Sequence, residues 1–237
     1  MTVEVLAGAE DVARRAADVI AEEARAAIAA RGRFLLATSG GETPGRMLQL
    51  LAKEEIPWSQ VHLFQVDERV APPGSPDRNL TQLLENLVNR IALPPGQLHA
   101  MPVEEADLES AAYRYAATLR EVAGKPATLD LVHLGLGADG HTASLVPGDP
   151  GLEIEDADVA VSAPYQGHRR MTLTLPALNR ARRVLWVVTG AGKAGVLARL
   201  RRGDRSIPAG RVRGDRALIL TDAGRRTMTP KQKSITT

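Results

Sequence analysis

"RFLLATSGGETPGRMLQLLAKE", residues 33 to 54, contains the unit from which the rest of the fold can be read. Phe34 through Ala37 are apolar at successive positions, where a half-exposed strand would alternate. This points to a strand buried on both faces of a parallel sheet. Ser39, Gly40 and Gly41 end the run, and Met47, Leu48, Leu50 and Leu51 follow at helical spacing. Thr43 is a natural N-cap, and Pro44 suits the first helical position.

The same alternation extends in both directions. Strand-like runs are "VEVLAG", "VHLFQV", "LHAMPV", "LDLVHLGLG", "VAVSA", "MTLTLP", "RVLWVVTG" and "ALILTD". Between them the spacing predicts helices over 9–31, 44–54, 78–91, 107–122 and 193–202. This is the pattern of a doubly wound α/β fold: a mostly parallel sheet flanked by helices, Rossmann-like, in a single domain spanning 1–237. "APPGSPDRN" (71–79) and "LPPGQ" (93–97) are loop-sized insertions, and the polar ending "GRRTMTPKQKSITT" reads as a loose tail from about residue 225.

A chain of 237 residues, 44% hydrophobic, can bury a sizeable core. Thirty Lys plus Arg face 28 Asp plus Glu, the basic residues are scattered, and only three Tyr, two Phe and two Trp could stack on bases. No nucleic-acid partner is expected, while anionic small molecules remain open. The lack of cysteine excludes disulfides, thiolate metal ligands and cysteine nucleophiles, and no H-E-x-x-H spacing occurs, so no metal site is expected. "MTVEVLAGAEDVARR" puts acids where a signal peptide needs bases, and no apolar run approaches the roughly 18 residues that span a bilayer. The expectation is a soluble, cytoplasmic protein with no membrane partner.

In a parallel α/β sheet, ligands bind beyond the carboxyl ends of the strands. After the strand at 34–38, the Gly40, Gly41 and Thr43 turn offers close backbone approach and helix-start N–H groups, as a phosphate cradle would; a plain strand-to-helix turn would read the same. After 61–66 come Asp67, Glu68 and Arg69, either the solvated rim of the sheet or a site where Arg69 forks onto a phosphate. "VLWVVTGAGKAGVLARL" (184–200) is not a phosphate-binding Walker loop, because Val187 and Ala194 replace the required Gly and Ser or Thr. Its Lys193 is a surface charge or an anion contact.

"LDLVHLGLGADGHTASLVPGDPG" (129–151) carries Gly135, Gly137 and Gly140 in the G-x-G-x-x-G spacing of a dinucleotide site. That site needs a long helix opening at the third glycine, and Pro147, Gly148, Pro150 and Gly151 leave room for barely two turns. No cofactor is expected. What remains is Asp139 two positions before His141: a general base with a carboxylate partner, or a turn-forming Asp bonded to its own loop. His62, His99 and His133 fall inside strand-like runs as packed or rim residues, and His168 falls in a loop.

"SGGETP" (39–44), "VDERVAPPGSPDRN" (66–79), "GLGADGHTASLVPG" (135–148), "RMTLTLPALNRAR" (170–182) and "VVTGAGKAGVL" (187–197) occur in the order found in one family. Together they resemble the 6-phosphogluconolactonases of the glucosamine-6-phosphate isomerase and 6-phosphogluconolactonase superfamily. The segment after Asp-Gly-His is similar to the lactonase branch; the deaminases tend to follow their histidine with an apolar, Asn-Glu-containing segment. Glu42, where family members often have Ser, is a departure. The resemblance implies hydrolysis of 6-phospho-D-glucono-1,5-lactone in the oxidative pentose phosphate pathway without cofactor or metal. It implies His141 as the base activating water, Asp139 as its partner, and the amides of the glycine-rich turn as oxyanion donors. For the phosphate and sugar it implies Arg69 and Lys193 with Gly40, Gly41, Thr43 and Asp67 alongside, and Arg170 and Arg211 as further candidates. The expected form is a monomer or small homo-oligomer. A glucosamine-6-phosphate isomerase or deaminase and a non-catalytic sugar-phosphate sensor are the rival readings.

Overall fold

The apolar runs form strands hidden on both faces. A computed structural model describes residues 1–223. Its strands are β1 (Thr2–Val5), β2 (Phe34–Thr38), β3 (Val61–Gln65), β4 (Asp67–Arg69), β5 (Leu98–His99), β6 (Leu131–Leu134), β7 (Val159–Tyr165), β8 (His168–Leu173), β9 (Arg183–Val188) and β10 (Ala217–Thr221). Seven of them make one all-parallel sheet in the order β1-β10-β9-β6-β2-β3-β5. Every position of β2, β6 and β10 is buried.

Alternate side chains of each strand feed two cores. Phe34, Leu36, Leu63 and Leu131 pack on one side with α1 (Ala9–Arg31), α2 (Glu42–Leu51) and Leu83 of α3 (Asn79–Asn86). Leu35, Ala37, Val132, Leu134 and Trp186 pack on the other with α4 (Leu108–Ala123), α5 (Leu175–Arg180) and α6 (Ala194–Arg201). Each large side chain so buried contributes about 1.5–3 kcal/mol. The alanine stripe of α1 (Ala13, Ala16, Ala17, Ala21, Ala24, Ala27) has no bulk to hold the helix off the sheet. Gly32, at φ 72, stops it by donating to the Ile28 carbonyl.

The sheet order places the site. From β2 the chain steps outward to β3 and β5, then returns through α4 to β6 on the opposite side of β2. The carboxyl ends of β2 and β6 therefore open a crevice at the point where the winding reverses.

Three local expectations change. Asp67–Arg69, placed beyond the strand that precedes them, are β4 of a second, antiparallel sheet ordered β4-β8-β7, because a three-residue charged strand has no apolar period and takes its pairing from β8. His168 opens β8 and is not in a loop. Thr43 is not the N-cap: Gly41, at φ 128, turns the chain two residues sooner, so α2 begins at Glu42 and Pro44 stands third. The tail expected from about residue 225 lies outside the described residues. Among those described, no helix is long and apolar enough to cross a membrane.

Candidate active site

The loop after β6 folds upon itself around His141. Gly137 N–H donates to the His141 carbonyl (2.9 Å), Gly140 N–H to the Gly137 carbonyl (3.0 Å), and Ala209 N–H to the Gly140 carbonyl (3.0 Å). Asp139 does both things the sequence left open. Its Oδ1 accepts the His141 backbone N–H at 3.2 Å, closing a local turn, and also the ring Nδ1 at 2.6 Å. A carboxylate only accepts, so Nδ1 carries the proton and Nε2 is the basic nitrogen of the neutral ring. Burial pushes the Asp139 carboxyl up, but the hydrogen bonds and charge of His141 and the Tyr165 hydroxyl outweigh it and hold the carboxyl below its ordinary range. Gly137 is required at its place: a Cβ there would stand 2.0 Å from His141 Nδ1 and 2.6 Å from Asp139 Oδ1. The amides of Gly137, Gly140 and His141 are all bonded within the loop.

His141 lines a cleft of about 270 Å³ together with Gly40, Gly41, Asp67, Arg69, Arg170 and Lys193. Arg69 and Arg170 are direct partners across β4 and β8, an arrangement that sets like charges opposite each other. Arg170 is 4% exposed, and among the described residues its guanidinium donates only to the Tyr165 carbonyl (3.4 Å) and Gln166 Oε1 (3.5 Å), leaving Nε without a partner there. Burial, then the nearby Arg69 charge, lower its pKa. Arg69 donates to the Asp77 carbonyl (2.7 Å). Among the described residues, neither arginine nor Lys193 is in an ion pair. Asp67 lies buried at the base, accepting from Ser144 Oγ (2.7 Å) and Asn79 Nδ2 (3.3 Å). Burial, reinforced by Glu68, raises its pKa against the pull of Ser144 and the two arginines. The result is a polar cleft with a hydrogen-bonded histidine on one loop and under-satisfied cations on neighbouring elements.

The model of the family described as glucosamine-6-phosphate isomerases/6-phosphogluconolactonase matches residues 7–220. The chain belongs to this family. Among its relatives, a protein from Synechocystis named 6-phosphogluconolactonase is 37% identical over 84% of each chain. One of the same name from Mycobacterium tuberculosis is 41% identical over 73% of this chain and 74% of its own. A crystal structure of 6-phosphogluconolactonase from Thermotoga maritima superposes with a TM-score of 0.84, at 27% identity, over 93% of this chain and 98% of its own.

In this family member not every candidate residue reaches the cleft. Arg211 is bound to Glu153 (Nη1–Oε1 2.7 Å) and lines a separate hollow with Arg205 and Arg213. Its position in the 3₁₀ turn Pro208–Arg211, beside the short segment that packs against Gly140, carries it away. Thr43 points aside as well, its hydroxyl bonded to that of Thr189 at 2.8 Å, where it ties the α2 turn to the loop that carries Lys193. The Gly41 amide is already bonded to Gln82 Oε1 (3.0 Å), so it is not a free anion donor.

Sequence reading missed the supporting residues. Glu68, fully buried, accepts from the Arg69, Asn79 and Leu80 amides and from Gln65 Nε2, all within 2.8 Å, and pairs with Arg78. It thus caps α3 from outside the helix. Asn79 fills the space above Gly40, where a Cβ would stand 2.1 Å from its Oδ1. Ala143, at φ 52, holds a left-handed turn, and the next residue, Ser144, reaches Asp67. The only sequence signal for these contacts is polar residues after the charged triplet Asp67–Arg69, which does not say what they touch.

Proposed function

We propose that this chain hydrolyses 6-phospho-D-glucono-1,5-lactone to 6-phosphogluconate, with His141 as the general base. The observation that carries this reading is the shared cleft: a carboxylate-backed imidazole and three cations that have no ion-pair partner among the described residues line one cavity. His141 Nε2 takes a proton from water as the water oxygen attacks C1. When the C1–ring-oxygen bond breaks, the imidazolium returns that proton to the leaving oxygen, and the new carboxylic acid ionises to solvent. Asp139 stabilises the imidazolium between the two steps. Arg69, Arg170 and Lys193 hold the phosphate, and this remote binding orients C1 over the base. The activity is the one the relatives' names carry, and it takes the second place in the oxidative pentose phosphate pathway.

The test is to generate the lactone in situ with glucose-6-phosphate dehydrogenase and follow its decay above the spontaneous rate. The wild-type chain accelerates it, and His141→Ala lowers turnover by about 10²- to 10⁴-fold with the fold retained. No acceleration by the wild type, or ammonia release from glucosamine 6-phosphate in its place, overturns the reading.

A further inference from the structure

The β7–β8 hairpin ends beside the base. Tyr165 and His168 pair across its tip, with Gln166 at φ 50 and Gly167 at φ 83 as the two turn residues. Two consecutive left-handed residues make the tight hairpin turn whose twist matches the strands, and they fix where Tyr165 stands. Its hydroxyl donates to Asp139 Oδ2 at 3.0 Å, the oxygen that His141 does not use. Its ring meets the His141 ring edge-on, centroids 5.5 Å apart at 65°. The Arg170 guanidinium sits 5.2 Å over the same ring, within cation–π range. Gln166 closes the path, its amide nitrogen reaching the Tyr165 hydroxyl (3.4 Å) and its oxygen accepting from Arg170.

We propose that Tyr165 is a positioning residue that joins the base to the anion-binding side of the cleft: its hydroxyl clamps Asp139 so that Nδ1 of His141 stays bonded, and its ring supports Arg170. The two functions belong to separable parts of one side chain. An acceptor held at both oxygens cannot rotate away from the imidazole, which keeps Nε2 aimed at the water. The ring gives a buried guanidinium the one favourable contact that does not compete with a phosphate for its N–H groups. The proposal rests on His141 being the base.

Two variants separate the parts. Tyr165→Phe keeps the ring and loses the clamp, so kcat falls roughly tenfold, the range for a lost hydrogen bond to a charged group, with KM within twofold. Tyr165→Leu loses both, and KM for the phosphorylated lactone rises several-fold in addition. A merely structural residue would shift thermal stability in both variants without this split. A second readout does not need turnover: the downfield proton resonance on His141 Nδ1, strong in the wild type, moves upfield or broadens in Tyr165→Phe. Wild-type protein that leaves the lactone untouched defeats the functional reading alone, since the resonance still reports on the clamp. An unchanged His141 resonance in Tyr165→Phe, or a kcat equal to the wild type's, overturns the proposal.

Discussion

Gly137→Ala tests the active-site geometry with a single methyl group. Gly137 is not at positive φ, so alanine meets no backbone penalty there, and the whole effect comes from contact. The added Cβ would sit 2.0 Å from His141 Nδ1, 2.3 Å from Cε1 and 2.6 Å from Asp139 Oδ1, where ordinary contact begins at 3.4 Å. The imidazole must therefore retreat by about 1.4 Å, and the 2.6 Å bond to Asp139 cannot survive that shift. A displacement of about 1 Å at a catalytic group costs about 10²-fold, and losing the base altogether up to about 10⁴-fold. The expected kcat is lower by about 10²- to 10³-fold, with KM changed little because the cations lie on other elements: Arg69 on β4, Arg170 on β8 and Lys193 in the turn after β9. Overpacking of this kind also costs about 1–3 kcal/mol, or about 2–4 °C of Tm per kcal/mol at this size. Gly148→Ala is the control: at φ 80 with open space around it, it strains the backbone of the same loop without touching the dyad. It should lower Tm and leave kcat in place. The assay is the coupled lactone decay, run beside thermal unfolding. A Gly137→Ala enzyme within threefold of wild-type kcat would refute the reasoning.

Glu68→Gln should cost about 2–3 kcal/mol in urea unfolding, because an amide turns an NH₂ toward backbone donors and leaves buried Arg78 with Glu104 alone of its two carboxylate partners; a loss under 1 kcal/mol would show that this hub is not needed. His133 is fully buried, with Nδ1 accepting from Ser39 N–H, and burial pushes it down to about 4 from 6.5. Between these values the unfolded chain binds a proton that the folded chain does not, so stability is complete above pH 6.5 and falls as pH drops toward 4, by up to about 3 kcal/mol. His133→Gln should flatten this acid limb of the stability curve, and equal limbs in the two proteins would count against the assignment.

What the sequence made legible was local. The first helix was read as 9–31 and is α1, Ala9–Arg31, because its periodic face and terminating Gly32 sit within the chain itself. The Asp139–His141 pair was legible for the same reason: a single residue separates them, and the prolines after Val146 exclude a dinucleotide helix. Arg170 was only one arginine among several, beside Arg169 and before Arg180 and Arg182. Nothing in that run says which guanidinium enters the cleft; the β4–β8 register decides it, by placing Arg170 opposite Arg69. Tyr165 was invisible for a similar reason, since its contact with Asp139 spans 26 positions and depends on the twist of one hairpin turn.

The part that sequence rules could not supply is also where the structure breaks them. Like charges directly opposite each other weaken a sheet, and a buried guanidinium with an empty Nε adds a desolvation cost. A sequence selected for stability alone would place a carboxylate at one of these two positions, and Asp67, the nearest acid on β4, is instead turned toward Ser144 and Asn79. Asp67 thus makes its hydrogen bonds elsewhere and acts on Arg170 only through its charge, which keeps the guanidinium N–H groups available to an external anion. A phosphate placed between Arg69 and Arg170 removes both costs at once, turning their repulsion into a shared attraction. Under the proposed function, the ligand's charge would complete a sheet that the chain leaves electrostatically unfinished, and binding energy drawn from that completion would be available to hold C1 against His141.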